Sequence, residues 1–431
     1  MDRIRIGACA RRVGFTVTRQ RTLVLTPRFP YPEISGDRIR ILNICRALST
    51  KFDLTLLSLC ESPAEMEFRP QDGLFSAIER VHLPRFRSYV NTARAIVGRR
   101  PLQLAYYDSA EFREKVRFLS PRHDLLLAHL IRVGQYIEDL PGFRILEMTD
   151  AISMTYLRMQ QLRGNYSWKR LVYLIEQKRL NQYESQTLQK FNRVWLTSSV
   201  DRNFLDPAHL RSIEIIPNGV DLETLACRPA DPNGNVIVFI GNMVSLPNQD
   251  ACHYFIKNIL PGVRKQANVV FRIVGSAHDR VRQQFRKYAG VQMTGRIEHI
   301  RDGVEGAFCG VCPMRAAAGI QNKILEYLAL ELPCVVSEIG LGGVEALSGE
   351  ELLVYKDPGE AIQHILRLHA DPALRLRMAT AGRRLACEKY HWQNIYQSVI
   401  NSCAEGMTAP WVPLDSPPET AVTAAVVNVI K

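Results

Sequence analysis

The chain has no apolar run of the roughly 18 to 20 residues that a membrane-spanning helix requires. Its first twenty residues carry Arg3, Arg5, Arg11, Arg12 and Arg19 but no sustained apolar segment of the secretory kind. Residues 1–20 are therefore expected to be a leader without fixed structure, on a cytoplasmic protein. Paired cysteines are lacking too. Ten cysteines are scattered singly, and only Cys309 and Cys312 lie close together. A zinc site needs a second Cys/His pair at matching spacing, and none is present. The run 307–313 predicts a buried strand, on which positions three apart face opposite sides, so these two thiols are expected to be structural. The nearest approach to an Asp-x-Asp metal motif is Asp221-Leu222-Glu223, which reads as linker and cap chemistry. No zinc finger, RNA-binding aromatic motif or concentrated basic helix stands out. No nucleic-acid partner, essential metal or other cofactor is expected.

What is present is a globular composition of 431 residues, with 46% hydrophobic and 23% charged side chains. That length suits two domains of roughly 200 residues each. Lysine and arginine total 55 against 43 acidic residues, a net charge of +12. Such a balance fits either an anionic partner (nucleotide phosphates, lipid phosphates, an anionic membrane face) or simply a basic solvated surface.

The apolar pattern has one grammar used twice. A strand at 22–26, a Pro/Gly loop, a helical pattern at 38–48 and a strand at 53–59 form a βαβ unit, which implies a parallel sheet. Further strands are predicted at 125–128, 144–148 and 194–197, with a helix over 166–191. The grammar then restarts with strands at 235–241, 269–275, 310–313 and 333–337, and helices at 250–259 and 321–331. This predicts an α/β protein of two doubly wound, Rossmann-like domains facing a central cleft. The expected divisions are 21–210 for an acceptor domain and 211–385 for a donor domain. A helix over 386–405 is expected to cross back, ahead of a disordered tail at 406–431.

The stretch richest in chemistry is 313–336, which reads strand, small-residue loop, helix, strand. The loop Ala316-Ala317-Ala318-Gly319 has little bulk, so amides at the helix start can approach an anion. Lys323 adds a point charge suited to phosphates. Glu326 lies three residues further along the helix and can accept hydrogen bonds from a ribose diol. In the first half, Thr26 to Arg38 is a Pro-rich loop at the carboxyl end of a strand. There Gly36 permits close backbone approach, and Arg38 and Arg40 can pair with anions. His129 ends the strand at 125–128 and is expected to face the cleft, with Arg132 on the same loop.

The pattern Gly319-x-x-Asn322-Lys323-x-x-Glu326-Tyr327-x-Ala329-x-x-x-Pro333-x-Val335-Val336 resembles the donor signature of retaining GT-B glycosyltransferases of family 4. It is most similar to the branch found in bacterial exopolysaccharide clusters, including the PEP-CTERM-associated sugar transferases. Pro217-Asn218-Gly219-Val220-Asp221, Phe239-Ile240-Gly241-Asn242-Met243 with Pro247-Asn248, and Gly36-Asp37-Arg38-Ile39-Arg40 extend the resemblance from about residue 22 to 396. The resemblance implies a hexosyltransferase-like enzyme that moves a sugar from a nucleoside-diphosphate sugar to a saccharide or lipid-linked acceptor with retention. The departing diphosphate would itself take the acceptor proton. It also implies catalytic roles for His129, Lys323 and Glu326, the histidine contacting the donor sugar. Donor or phosphate contacts are implied for Gly36, Arg38, Gly241, Asn242, Gly319 and Asn322. Asp150 and Ser153 look like the Asp-x-x-Ser pattern of that branch and, with Arg132, are acceptor candidates; helix capping explains them equally well.

One position departs from the family pattern: many members carry a glutamate seven residues before the one matched by Glu326, where this chain has Ala318. A degenerate homologue that binds nucleotide or partners without turnover is the competing reading, and the retained Lys323 and Glu326 argue against it. The basic surface could also hold the protein peripherally at the inner membrane face, near a lipid-linked acceptor.

Overall fold

The computed structural model describes residues 19–162, 167–209, 213–225 and 234–408. The leader expected at 1–20 and the tail expected at 406–431 thus lie almost wholly outside the described residues. Within them the chain forms two parallel sheets. The first comprises β1 (Arg21–Thr26), β2 (Asp53–Cys60), β3 (Ala77–His82), β4 (Leu125–His129), β5 (Phe143–Thr149), β6 (Arg193–Leu196) and β7 (Ile213–Ile215). The second comprises β8 (Val236–Ile240), β9 (Val270–Val274), β10 (Val291–Gly295), β11 (Ala307–Cys312), β12 (Cys334–Ser337) and β13 (Leu353–Tyr355). Their orders are β3-β2-β1-β4-β5-β6-β7 and β10-β9-β8-β11-β12-β13, the doubly wound arrangement expected.

Each sheet reverses its order at one crevice, between β1 and β4 in the first and between β8 and β11 in the second. The carboxyl ends of these four strands and the segments that leave them carry most of the candidate residues, with Asp150 and Ser153 after the adjoining β5. They stand after β1 (Gly36), at the end of β4 (His129), after β8 (Gly241, Asn242) and after β11 (Gly319 to Glu326), which is where open α/β sheets hold their ligands. The central strands β4, β8 and β11 are buried throughout, as apolar runs covered by helices on both faces must be. Cys309 and Cys312 are among these buried positions, as free thiols.

Three helices of the first domain matter below: α1 (Gly36–Ser49), α2 (Pro63–Glu67) and α3 (Arg85–Ala95). The domain divisions need correction. β7 pairs with β6, so the first sheet continues past residue 210. The helix Pro372–Lys389 runs through the boundary expected at 385, and the crossing helix is Trp392–Thr408. Trp392, Ile395, Val399 and Cys403 of that helix join the apolar cluster beneath the first sheet. Trp195 donates its Nε1 hydrogen to Ser402 at 2.8 Å, and Tyr396 donates to Asn43 at 2.9 Å. The close approach depends on Gly219, where a β-carbon would fall 2.4 Å from Trp392.

Candidate active site

His129 closes β4 and is almost fully buried. Its Nδ1 makes a short hydrogen bond to Glu147 Oε2 on the neighbouring strand β5. The other Glu147 oxygen accepts from Arg40 Nε at 2.7 Å and from Thr149 Oγ1 at 2.9 Å. Burial pushes the Glu147 carboxyl up, but Arg40 and His129 outweigh it and hold it at about 2. The ionised carboxylate therefore fixes a proton on His129 Nδ1. Arg40 is consumed by this structure, donating also to Ile216 O at 2.9 Å, Pro217 O at 3.0 Å and Asn218 Oδ1 at 2.9 Å. It is a buried strut and not the anion-binding side chain expected from the sequence.

β4 and β5 are each followed or ended by a non-glycine residue in the left-handed region, Leu130 (φ 67) and Thr149 (φ 67). Each costs roughly 1–2 kcal/mol, and such strain gathers where a side chain must be aimed. Beyond these bends lie Arg132 and Asp150. Arg132 donates to Gln103 at 3.0 Å, and its guanidinium lies 5.4 Å from the Tyr107 ring centroid. Burial and the neighbouring Asp201 push the Asp150 carboxyl up to about 7, with Arg132 opposing. Asp37, at the start of α1, faces the same space. Its burial is overcome by the Ser35 hydroxyl and by His129, Arg28 and Arg132, which hold its carboxyl below the usual range. Asp37, His129, Arg132 and Asp150 thus share one field.

Two expected contacts are not in this group. Ser153 is buried, and its hydroxyl donates a short hydrogen bond to Glu184. It anchors the helix Ile152–Gln161 to the long helix Ser167–Thr187 and does not face an acceptor. Arg38, on α1, pairs with Glu65 of α2 at 3.0 Å and donates to Tyr31 O at 3.2 Å, so it braces α1 against α2 and the preceding loop and is not placed as a phosphate ligand.

Across the cleft, the loop after β11 touches the first domain. Gly319 has φ +64, and a β-carbon there would lie 2.9 Å from Thr197 Oγ1 and 3.1 Å from Asp150 Cβ. Its amide donates to both Asp201 oxygens at 2.9 and 3.2 Å, and the Ile320 amide donates to Thr197 Oγ1 at 3.2 Å. These two amides, read from the sequence as open to a diphosphate, are taken up by the domain contact. Ala318 packs into the apolar cluster of the first domain. Asp150, not an acid at position 318, brings a carboxylate to this side.

The helix Asn322–Ala329 presents the remaining candidates. Asn322 accepts from Asn218 Nδ2 at 2.7 Å, and a β-carbon on Gly36 would fall 2.7 Å from its amide nitrogen. Gly36 is therefore a contact between domains. Lys323 is buried, yet its ammonium meets only neutral groups: Gln321 Oε1 at 3.3 Å, Asn248 Oδ1 at 3.4 Å, Met314 Sδ at 4.0 Å and the Phe239 ring at 5.2 Å. Among the described residues it forms no ion pair. The loop after β8 supports it from below. Asn242 accepts from the Val244 amide at 3.0 Å and, through its carbonyl, from Asn248 at 2.9 Å, while Gly241 leaves room for the Asn248 side chain. Glu326 lines a cavity of about 560 Å³ bounded by α1, the linker Gly219 to Leu225 and Trp392. Burial pushes its carboxyl up to about 7, with Lys323 pulling the other way. Among the described residues no group of three His, Cys, Asp or Glu is placed to hold a metal ion. Asp221 accepts from the amides of Glu223 (2.9 Å) and Thr224 (3.1 Å), a turn cap.

Sequence reasoning missed Glu147 and Asp201 as parts of the site, and it gave no role to Asp37 and Asn248 although both stand in the motifs that carry the resemblance. The available signal for Glu147 was an acid inside the apolar run of β5, where an unpaired charge would be untenable.

Comparison with known proteins adds the following. No curated protein matches the chain. Sucrose-phosphate synthase from Thermosynechococcus elongatus superposes with a TM-score of 0.70 at 14% identity, over 90% of this chain and 99% of that one. Anabaena Alr3699/HepE in complex with UDP gives 0.63 at 14% identity, over 90% and 100%. The α,α-trehalose 6-phosphate synthase of Burkholderia multivorans gives 0.59 at 14%, over 90% and 99%. At such identities these likenesses speak to fold alone. Residues 234–371 match the family model described as glycosyl transferases group 1. The chain thus has the two-Rossmann-domain GT-B fold, and its second domain carries the match to glycosyl transferases group 1.

Proposed function

We propose that this chain is a retaining glycosyltransferase that moves a sugar, a hexose in the first instance, from a nucleoside-diphosphate sugar to a saccharide or lipid-linked acceptor. The setting proposed is bacterial exopolysaccharide or other cell-surface polysaccharide synthesis. The observation that carries the reading is Lys323. A buried ammonium whose direct contacts are all neutral and which forms no ion pair is uphill unless an anion completes the site. A diphosphate does so, beside a helix start that favours negative charge.

In this reading Glu326 accepts from the ribose diol, and the ribose occupies the cavity lined by that carboxylate. His129 contacts the donor sugar, its tautomer held by Glu147. Arg132 and Asp150 face the acceptor. The anomeric C–O bond to the diphosphate breaks, and the acceptor oxygen bonds to that carbon on the same face. The acceptor proton passes to the departing diphosphate oxygen. The contact of the Gly319 loop with Thr197 and Asp201 excludes water from this space. No metal is required, because Lys323 and the helix start stabilise the developing charge. The Anabaena neighbour's complex with UDP makes UDP the first donor base to try.

The test is a thermal-shift screen against UDP, GDP, ADP and CMP, with and without EDTA. At a hundredfold excess over Kd, a ligand of the folded form adds about 2.7 kcal/mol. One diphosphate should raise the midpoint, EDTA should not change the shift, and Lys323→Ala should remove it. A folded wild-type protein that responds to none of them would overturn the reading in favour of a degenerate homologue.

A further inference from the structure

α3 and its exit invert the usual order of a surface helix. Such a helix normally buries its apolar stripe and shows polar residues to water. Here the fully buried residue is Ser88, while Phe86 (76% exposed), Tyr89 (62%), Ile96 (60%) and Val97 (95%) face outward. Positions 86, 89, 93 and 96 or 97 share one side at helical spacing. Single exposed apolar residues are ordinary, but four on one stripe mark an interaction surface. The charge carried by this segment itself is of one sign. Between Arg85 and Arg100 the chain has five arginines and no acidic residue, three on α3 and two just beyond its end, a basic segment that the sequence alone did not mark. Arg85 is paired with Glu61 and Arg100 with Asp108. Among the described residues, Arg87, Arg94 and Arg99 have no ion-pair partner.

We infer that this face of α3 docks on an anionic lipid bilayer, with Phe86, Tyr89, Ile96 and Val97 entering the headgroup region and the unpaired arginines meeting lipid phosphates. Exposed aromatic and aliphatic residues bordered by arginine are the pattern of an interfacial helix, and apolar and electrostatic signals together are what hold a peripheral protein. The position suits the proposed reaction, and this part rests on that reading. Tyr89 packs edge-on against Tyr106 at 5.8 Å, and Tyr106 against Tyr107 at 4.9 Å. Tyr107 receives the Arg28 Nε hydrogen at 3.0 Å and lies under Arg132. Three rings therefore connect the docking face to the cleft wall that carries Arg132. A lipid-linked acceptor would reach the cleft without leaving the surface. The helix is held firmly at its exit, where Arg179 donates to Ala95 O at 3.3 Å and Ile96 O at 2.8 Å.

The experiment is co-sedimentation of the full chain with phosphatidylcholine vesicles and with vesicles containing 30% phosphatidylglycerol, at low and high salt. The wild type should partition to the anionic vesicles and be released by salt. Phe86→Ser/Val97→Ser should lower the partition at least about ten-fold. Arg87→Gln/Arg94→Gln should lower it about five-fold for each arginine removed. All four sites are surface positions, so the variants should keep the wild-type melting midpoint. No binding to anionic vesicles, equal binding to both vesicle types, or binding untouched by either variant would overturn the inference. So would a wild-type dimer in light scattering that Phe86→Ser/Val97→Ser dissociates, since a second copy would then cover the face. The vesicle result needs no turnover, so it stands apart from the nucleotide screen.

Discussion

Glu147→Gln tests the support of His129 most sharply, because the substitution keeps size and shape and removes one charge. Arg40 would remain buried against two carbonyls and two amide oxygens, with no carboxylate. Breaking a buried ion pair from one side costs roughly 3–5 kcal/mol. At about 2–4 °C per kcal/mol for a domain of this size, the midpoint should fall by roughly 6–20 °C. The glutamine oxygen must serve Arg40 and Thr149, so its NH₂ must face His129 Nδ1. That nitrogen then has to accept, which moves the imidazole proton to Nε2. Nitrogen NMR of the histidine should report Nδ1–H in the wild type and Nε2–H in the variant. The nucleotide-dependent thermal shift should survive, since Lys323 and Glu326 are untouched, while transfer falls. The pH dependence has a definite sign. The depressed carboxyl contributes stability above its unfolded value near 4.5, and this is lost as pH falls toward about 2. The acid limb of the stability curve should therefore be shallower in the variant. A midpoint within 2 °C of wild type together with an unchanged tautomer would refute the reasoning.

The Glu326 carboxyl is raised to about 7, so the folded state holds its proton more tightly than the unfolded chain. Stability should decline as pH rises from about 4.5 toward 7, and nucleotide affinity should increase over the upper part of that range as the carboxylate forms. Glu326→Gln should flatten both trends, read as midpoints with and without nucleotide from pH 5 to 8.5. Gly275 has φ +145, and a β-carbon there would sit 2.1 Å from Gly241 O, a backbone atom that cannot swing aside. Gly275→Ala should cost about 3 kcal/mol in urea titration and displace the loop that carries Asn242 and leads into the helix start holding Asn248. An alanine variant as stable as wild type would mean the two loops are not packed back to back.

Nine strands of the two sheets could be read from apolar runs, and the four that could not are β3, β7, β10 and β13. All four are the outer strands of their sheets. A central strand is covered on both faces and must be apolar along its length, whereas an edge strand is only partly covered. β3 (Ala-Ile-Glu-Arg-Val-His) and β10 (Val-Gln-Met-Thr-Gly) accordingly mix polar residues into half-exposed positions, and β7 and β13 are three residues long.

The same physics separates what was legible in the site from what was not. Gly319, Asn322, Lys323 and Glu326 form one continuous segment, so helical spacing alone relates them. Arg38, Arg40 and Ser153 are chemically equal to residues that do face the cleft. Their roles depend on Glu65, Glu147 and Glu184, which are 27, 107 and 31 positions away in the chain. Local pattern cannot say which arginine has a buried carboxylate waiting. What it can say is that an acid inside an apolar strand needs a cation. Glu147 in β5 and Arg40 in the otherwise apolar face of α1 are each anomalous alone and are explained together. Pairing such anomalies within one predicted domain is therefore the step that would have found the support of His129 before the structure.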